Sequence, residues 1–259
     1  MARFVVGLSL SILISALLSL AQSSDPQALS YAVQSITAMT GGNPISDVSL
    51  TGSVTWTVGS DIETGTAALE ALGTGESRMD LALGAGTRTE IRDTSTGTPL
   101  GRWMAQDGTS GLFAFQNCLT DAVWFFPALS SLSAGQNVAL SYIGQENRNG
   151  ESVQHIQSYV YQNVQFYGPA PSPQQLSTMD FYLDATTLLP VAITFNAHPD
   201  NDAGTNLLVE VDFSNYQAIA GVLVPLHIQR YLQGSLQVDV NASTAAFNTG
   251  LSLSTFAIN

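Results

Sequence analysis

Residues 181–190 read Phe-Tyr-Leu-Asp-Ala-Thr-Thr-Leu-Leu-Pro, and residues 211–228 read Val-Asp-Phe-Ser-Asn-Tyr-Gln-Ala-Ile-Ala-Gly-Val-Leu-Val-Pro-Leu-His-Ile. Both are apolar runs of strand type broken by turn chemistry, so the segment writes two antiparallel hairpins. Asp184 closes one strand and is placed to accept from the N–H groups of the turn after it. Val209, Val211 and Phe213 alternate with Glu210 and Asp212, and Val222, Val224, Leu226 and Ile228 alternate with His227 and Gln229. A period of two with one apolar side is the mark of a half-buried strand.

The same rhythm extends in both directions. Towards the C-terminus it gives strands over 179–184, 189–197, 206–213, 222–231 and 235–241. Upstream, 137–145 and 150–161 are joined through Glu146-Asn147-Arg148-Asn149-Gly150, whose Asn-Gly pair suits a tight hairpin. Between them and the second hairpin, Tyr167 to Pro173 forms a loop carrying three prolines. Further upstream, Val48, Leu50, Val54, Trp56 and Val58 alternate with Ser49, Thr51, Ser53, Thr55 and Thr57. Four more strands, 64–72, 76–84, 87–93 and 99–105, follow at short spacing, separated by Gly-rich breaks such as Gly73-Thr74-Gly75 and Gly84-Ala85-Gly86.

Two segments depart from this rhythm. Leu29, Ala32, Val33, Ile36 and Met39 form a stripe at helical spacing, with Asp25 as N-cap, Pro26 in the first turn and Gly41-Gly42 as the stop. Residues 111–135 concentrate Phe113, Phe115, Trp124, Phe125, Phe126, Leu129 and Leu132, and read as one helix or two short ones broken at Pro127. The expected fold is mainly β: about ten or eleven strands in one large antiparallel sheet, since no βαβ alternation is present. A sheet of that size curls into a half-barrel, with the N-terminal helix and the mid-chain segment packed on its concave face.

Residues 1–21 carry the pattern of an export signal: Arg3, an almost wholly apolar Phe4–Leu20, and Ser19-Leu20-Ala21 as a small-x-small cleavage site. The expected mature protein is a single domain over 22–259, periplasmic or extracellular. If the signal stays uncleaved, residues 4–21 anchor the chain in a membrane instead. The net charge is −13, and no lysine occurs anywhere. So acidic a surface repels polyanions, which excludes nucleic-acid binding. Cys118 is the single cysteine and has no intramolecular partner. It is either a small buried apolar residue or a thiol that reacts between molecules.

Bond-making chemistry is sparse. The chain has His155, His198 and His227, but no Gly-x-Ser-x-Gly elbow, His-Glu-x-x-His or Cys-x-x-Cys. No spacing recommends a Ser–His–Asp set. His198-Pro199-Asp200-Asn201-Asp202 resembles a calcium loop only in its alternating oxygens, and Ala203-Gly204 after it makes it a hairpin turn. Asn241-Ala242-Ser243 is a glycosylation sequon. No enzyme activity, metal or cofactor is expected. The aromatic density over 113–126 fits either the lining of an apolar pocket or ordinary core.

The hairpin segment resembles the C-terminal half of the LolA-like, or outer-membrane lipoprotein-sorting, fold group. The residues carrying the resemblance are Leu183-Asp184, Thr187-Leu188-Leu189-Pro190, Asp212-Phe213-Ser214-Asn215-Tyr216 and Gly221-Val222-Leu223-Val224-Pro225. It implies an unclosed antiparallel barrel whose concave face, capped by helices, encloses an apolar cavity for acyl chains. The residues here that would line such a cavity are Trp56, Trp103, Phe113, Phe115, Trp124 and Phe125. Two functions fit these expectations. One is a non-enzymatic protein binding a lipid or other apolar ligand. The other is an envelope module with a solid core that serves a protein partner through its strand edges.

Overall fold

The computed structural model describes residues 24–132, 137–161 and 171–258. The segment read as an export signal, Gly135 and most of the Tyr167–Pro173 loop lie outside them. The chain opens with α1 (Pro26–Thr40). Asp25 caps it as expected, its carboxylate accepting from the N–H groups of Gln27 (2.7 Å) and Ala28 (3.4 Å). At the other end Gly41 takes the left-handed conformation (φ 62°) and returns its N–H to the Thr37 carbonyl. The buried face of α1 is Ala28, Ala32, Ser35 and Met39, whereas Val33 is 62% exposed. The stripe is therefore rotated from the expected one, because the small residues let the helix lie close against the sheet.

A first meander follows: β1 (Asp47–Val58), β2 (Asp61–Leu72), β3 (Ser77–Leu83), β4 (Gly86–Asp93), β5 (Leu100–Met104) and β6 (Ser110–Leu112). A second comprises β7 (Val138–Arg148), β8 (Glu151–Val160), β9 (Met179–Asp184), β10 (Pro190–Ala197), β11 (Leu207–Ile219), β12 (Val222–Leu232) and β13 (Ser235–Phe247). A short helix, α2 (Pro173–Ser177), precedes β9 and was not expected from the sequence. All 13 described strands form one antiparallel sheet in the order β6-β5-β4-β3-β2-β1-β13-β12-β11-β10-β9-β8-β7. Every neighbour in the sheet is a neighbour in sequence except at β1–β13, where the two meanders meet. β6 and β7 are the free edges, so the barrel stays unclosed.

The sheet holds 13 strands rather than ten or eleven, and one of them, β6, comes out of the segment read as helical. Among the described residues between β6 and β7, the chain is helical only in two single 3-10 turns, Phe115–Cys118 and Pro127–Leu129. The sequence explains this: Trp124-Phe125-Phe126 is a contiguous apolar run, which cannot form one stripe at 3.6 spacing. Those bulky residues instead plug the concave side, where Phe125 and Phe126 are buried to 1% and 0% exposure.

One large core fills the concave face, drawing on Leu50, Val54, Leu69, Leu81, Phe181, Ile193, Val211, Phe213, Ile228 and Val240 together with α1 and the 123–132 segment. The turns follow their chemistry. Asn149 and Gly150 both have positive φ (54° and 90°) at the β7–β8 hairpin. Asp184 accepts from the N–H groups of Thr186 (3.1 Å) and Thr187 (2.6 Å). In the 198–205 loop, Asp202 accepts from the Gly204 N–H (2.9 Å) and the Thr205 hydroxyl (2.6 Å), so this loop is a hairpin turn that binds to itself.

Candidate functional site: a cavity under the aromatic segment

β4 sets one wall of the site. Its residues alternate Arg88, Glu90 and Arg92 on one face with Thr89 and Ile91 on the other. In most half-buried strands the charged face meets water. Here it is the charged face that turns into the concave side. The opposite face is partly covered by the C-terminal 3-10 turn Leu253–Phe256, in which Phe256 is fully buried.

The 113–132 segment bridges the opening of the curved sheet and is tied down on both sides. The Asn117 amide donates to the His198 carbonyl and accepts from the His198 N–H, both at 2.8 Å, which fastens the segment to the β10–β11 loop. On the other side Arg92 Nη2 donates to the Thr120 carbonyl at 3.1 Å. Beneath this strap lies a cavity of about 550 Å3, within the range of small-molecule sites. Trp56, Val58, Met79, Phe113, Trp124, Phe125, Phe195, Val209 and Leu232 give it apolar walls.

Four of the six aromatic residues singled out by the sequence converge here: Trp56, Phe113, Trp124 and Phe125. Trp124 and Phe125 also belong to the main core, so the pocket and core readings of this segment are both true of them. The other two stand elsewhere. Trp103 shares the β4–β5 register with Glu90, but its indole lies over Gly111, where a Cβ would come within 2.9 Å of the ring. Phe115, in the first 3-10 turn, is 53% exposed.

The sequence reading missed the polar part of the wall. Glu90 sits between two guanidiniums, Arg88 at 3.4 Å and Arg230 at 3.3 Å. Each of these stacks on a tryptophan: Arg88 lies 5.5 Å from the Trp56 ring centre, and Arg230 lies 4.8 Å from that of Trp124. Burial works to raise the Glu90 carboxyl, but the Arg230 and Arg88 charges outweigh it and hold it below the usual range. Burial pulls the Arg92 guanidinium below the usual arginine value, against smaller opposite pulls from Cys118, Glu90 and Asp121. Asp121 is pushed up by burial, although the Ser131 N–H donates to it. Burial likewise raises the Cys118 thiol, against a smaller opposite pull from Arg92. The signal in the sequence was Arg-x-Glu-x-Arg over 88–92, three charges on one side of a strand with Ile91 opposite.

On the other face of the sheet, Ser214, His227 and Asp239 form a row. Ser214 Oγ lies 3.1 Å from His227 Nδ1, and His227 Nε2 lies 3.0 Å from Asp239 Oδ1. The atoms are those of a Ser–His–Asp set, but they stand on three adjacent extended strands. Ser214 is exposed, and the cavity lies on the opposite face of the sheet. The row reads as cross-strand polar pairing.

No protein-family model matches the chain, and neither does any curated protein sequence. Solved structures do resemble it. An outer-membrane lipoprotein-sorting protein domain from Vibrio parahaemolyticus is 14% identical, with a TM-score of 0.57 over 89% of this chain and 96% of that one. A DUF1329 family protein from Desulfovibrio piger is 10% identical, with a TM-score of 0.52 over 91% and 98%. A LolA superfamily protein from Nitrosomonas europaea is 9% identical, with a TM-score of 0.51 over 89% and 97%. Identities this low speak to architecture alone, and that architecture is the LolA-like fold.

Proposed function

We propose that this is an exported, non-enzymatic protein that takes a lipid or another apolar ligand into its concave cavity, in the periplasm or outside the cell. One observation carries the reading: the core is not filled throughout, and a 550 Å3 space walled by tryptophan and phenylalanine is left under the 113–132 strap. The export pattern of residues 1–21 and the fold shared with a lipoprotein-sorting domain support it. Binding would be driven by burial, at roughly 25 cal/mol per Å2 of apolar ligand surface removed from water. The cavity is partly open to solvent beside the strap, which gives a ligand a way in. α1 packs against β7, β8, β12 and the Pro127–Leu129 turn of the strap, and none of its residues lines the cavity.

Native mass spectrometry of the purified protein, followed by organic extraction, tests this directly. A co-purifying acyl species is the expected result. A dye that fluoresces in apolar cavities supplies a second readout: Trp56→Ala, within the cavity wall, should weaken dye binding several-fold. Trp103→Ala, outside the wall, should leave it unchanged. A protein that is empty and refuses both dye and added lipid would instead be an interaction module serving a protein partner.

A further inference from the structure

The chain has six arginines beyond the export segment and no lysine, against 20 acidic residues. Three of those six, Arg88, Arg92 and Arg230, line this cavity. Spread at random over an acidic surface, they would neutralise carboxylates there. Arg88 and Arg92 share a face of β4 with Glu90 between them, so their Cα atoms lie about 13 Å apart along the strand. Arg230 reaches the same Glu90 from β12.

The carboxylates present do not balance these cations. Glu90 is shared between Arg88 and Arg230. Arg92 makes no ion pair among the described residues; its hydrogen bond runs to the Thr120 carbonyl. Asp121, the other acid in the wall, accepts from the Ser131 N–H and acts on Arg92 through its charge, so two carboxylates face three guanidiniums. A desolvated cation without a full counter-charge costs stability. That cost is met when a ligand brings the missing charge.

The geometry also leaves the donors available. A guanidinium that stacks on an indole commits its faces, while its N–H groups point outward in the plane. Arg88 and Arg230 are so stacked and remain 27% and 20% exposed. Gly101 makes room for the third: a Cβ there would come within 2.5 Å of Phe113 and 2.9 Å of the Arg92 side chain. Phe113 and Arg92 therefore both pass close over Gly101, an apolar side chain near a cation.

We infer that the ligand is an amphiphile with an anionic oxygen head, carboxylate or phosphate, seated among Arg88, Arg92 and Arg230, with its apolar tail along Trp56, Trp124 and Phe125. The inference rests on the reading of the cavity as an apolar-ligand site. It adds that uncharged and cationic amphiphiles are discriminated against. Planar, two-pronged donation is what arginine offers carboxylate and phosphate oxygens.

The test uses four probes with one tail, below their micelle concentrations: dodecanoate, dodecyl phosphate, dodecanol and dodecyltrimethylammonium. Each is titrated calorimetrically into the purified protein. The two anions should bind about tenfold or more tightly than dodecanol, and the cation most weakly. Which anion leads assigns the head as carboxylate or phosphate. Arg92→Gln should cut the advantage of the anions to below about threefold while leaving dodecanol unchanged. Arg102→Gln, away from the cavity, should change neither. If Arg92→Gln does not fold by circular dichroism, Arg88→Gln gives the same readout. Dodecanol binding as well as the anions, or an anion advantage that survives both cavity variants, overturns the head-group inference alone. Failure of all four probes to bind overturns the cavity reading beneath it.

Discussion

Asp212 stands on the convex face of β11 with Glu210 two residues before it, and its carboxyl is raised to about 6. Burial is the larger cause and the Glu210 charge the second, while Arg148, which pairs with Glu210, pulls the other way. A carboxyl raised in the folded state binds its proton more tightly there than in the unfolded chain. Its penalty is therefore full above pH 6, shrinks as the pH falls towards 4, and is absent below. Asp212→Asn should stabilise the protein by about 1 kcal/mol at pH 8, after allowance for solvent screening, and by nothing at pH 4. Urea midpoints at the two pH values check this; equal gains at both would show that the charge is not the cause. Little of this could be seen from sequence. Asp184, by contrast, was legible because its turn is local, and each acceptor–donor pair falls within three residues. Glu90 and the arginines were not, since their pairing depends on Arg230, far away in the chain, and on which side of β4 is concave.

At the scale of single elements, β1 and β2 each depend on a glycine with no positive φ to justify it. A Cβ on Gly52 would lie 2.1 Å from the Asn241 carbonyl oxygen on β13, at the bulge where the β1–β13 register shifts. On β2, a Cβ on Gly65 would lie 1.9 Å from the Ala82 carbonyl oxygen of β3. Such collisions are with backbone, which cannot step aside as a flexible side chain would. Gly52→Ala should cost about 2–3 kcal/mol, whereas Gly59→Asn, in the β1–β2 turn with open space around it, should cost under about 1. Denaturant midpoints of the two variants decide; similar losses would mean that the strands have slack. Most strands were legible because a period of two survives local irregularity. β6 was not: three residues are too few to show a period, and Gly111 has no side chain to place on either face. The 113–132 segment was misread for a related reason, since its aromatics answer to the cavity and core and not to a helix axis.

Across the whole molecule, the two meanders are held together in the sheet by the β1–β13 pairing alone. Asp47, at the start of β1, reinforces that seam. It is 2% exposed and accepts from the Thr249 N–H (2.7 Å), the Thr249 hydroxyl (2.9 Å) and the Gly250 N–H (3.0 Å) just beyond β13. Burial would raise its carboxyl, but these donors together lower it. Asp47→Ala should therefore cost about 2–3 kcal/mol at neutral pH. The wild-type share of that stability should fade in acid, as the pH drops through the lowered folded value. We expect a single calorimetric transition in both proteins. Two transitions in the variant would show that the meanders melt apart once the seam is weakened. Strand-to-strand succession was legible throughout, because short turns force neighbours to pair. The seam itself was not, for no local signal joins residues nearly two hundred positions apart.

The strand order also sets a chronology. A chain made from its N-terminus completes β1 early, yet one flank of β1 waits for β13, the last strand to arrive. At ordinary synthesis rates that interval is on the order of ten seconds, during which an edge bearing Val48, Leu50 and Val54 stands bare. Most sheets can lose a terminal strand and be merely narrower. Here the missing piece would be the keystone, and a chain without β13 would leave two half-sheets, with the margins of β1 and β12 open to another molecule.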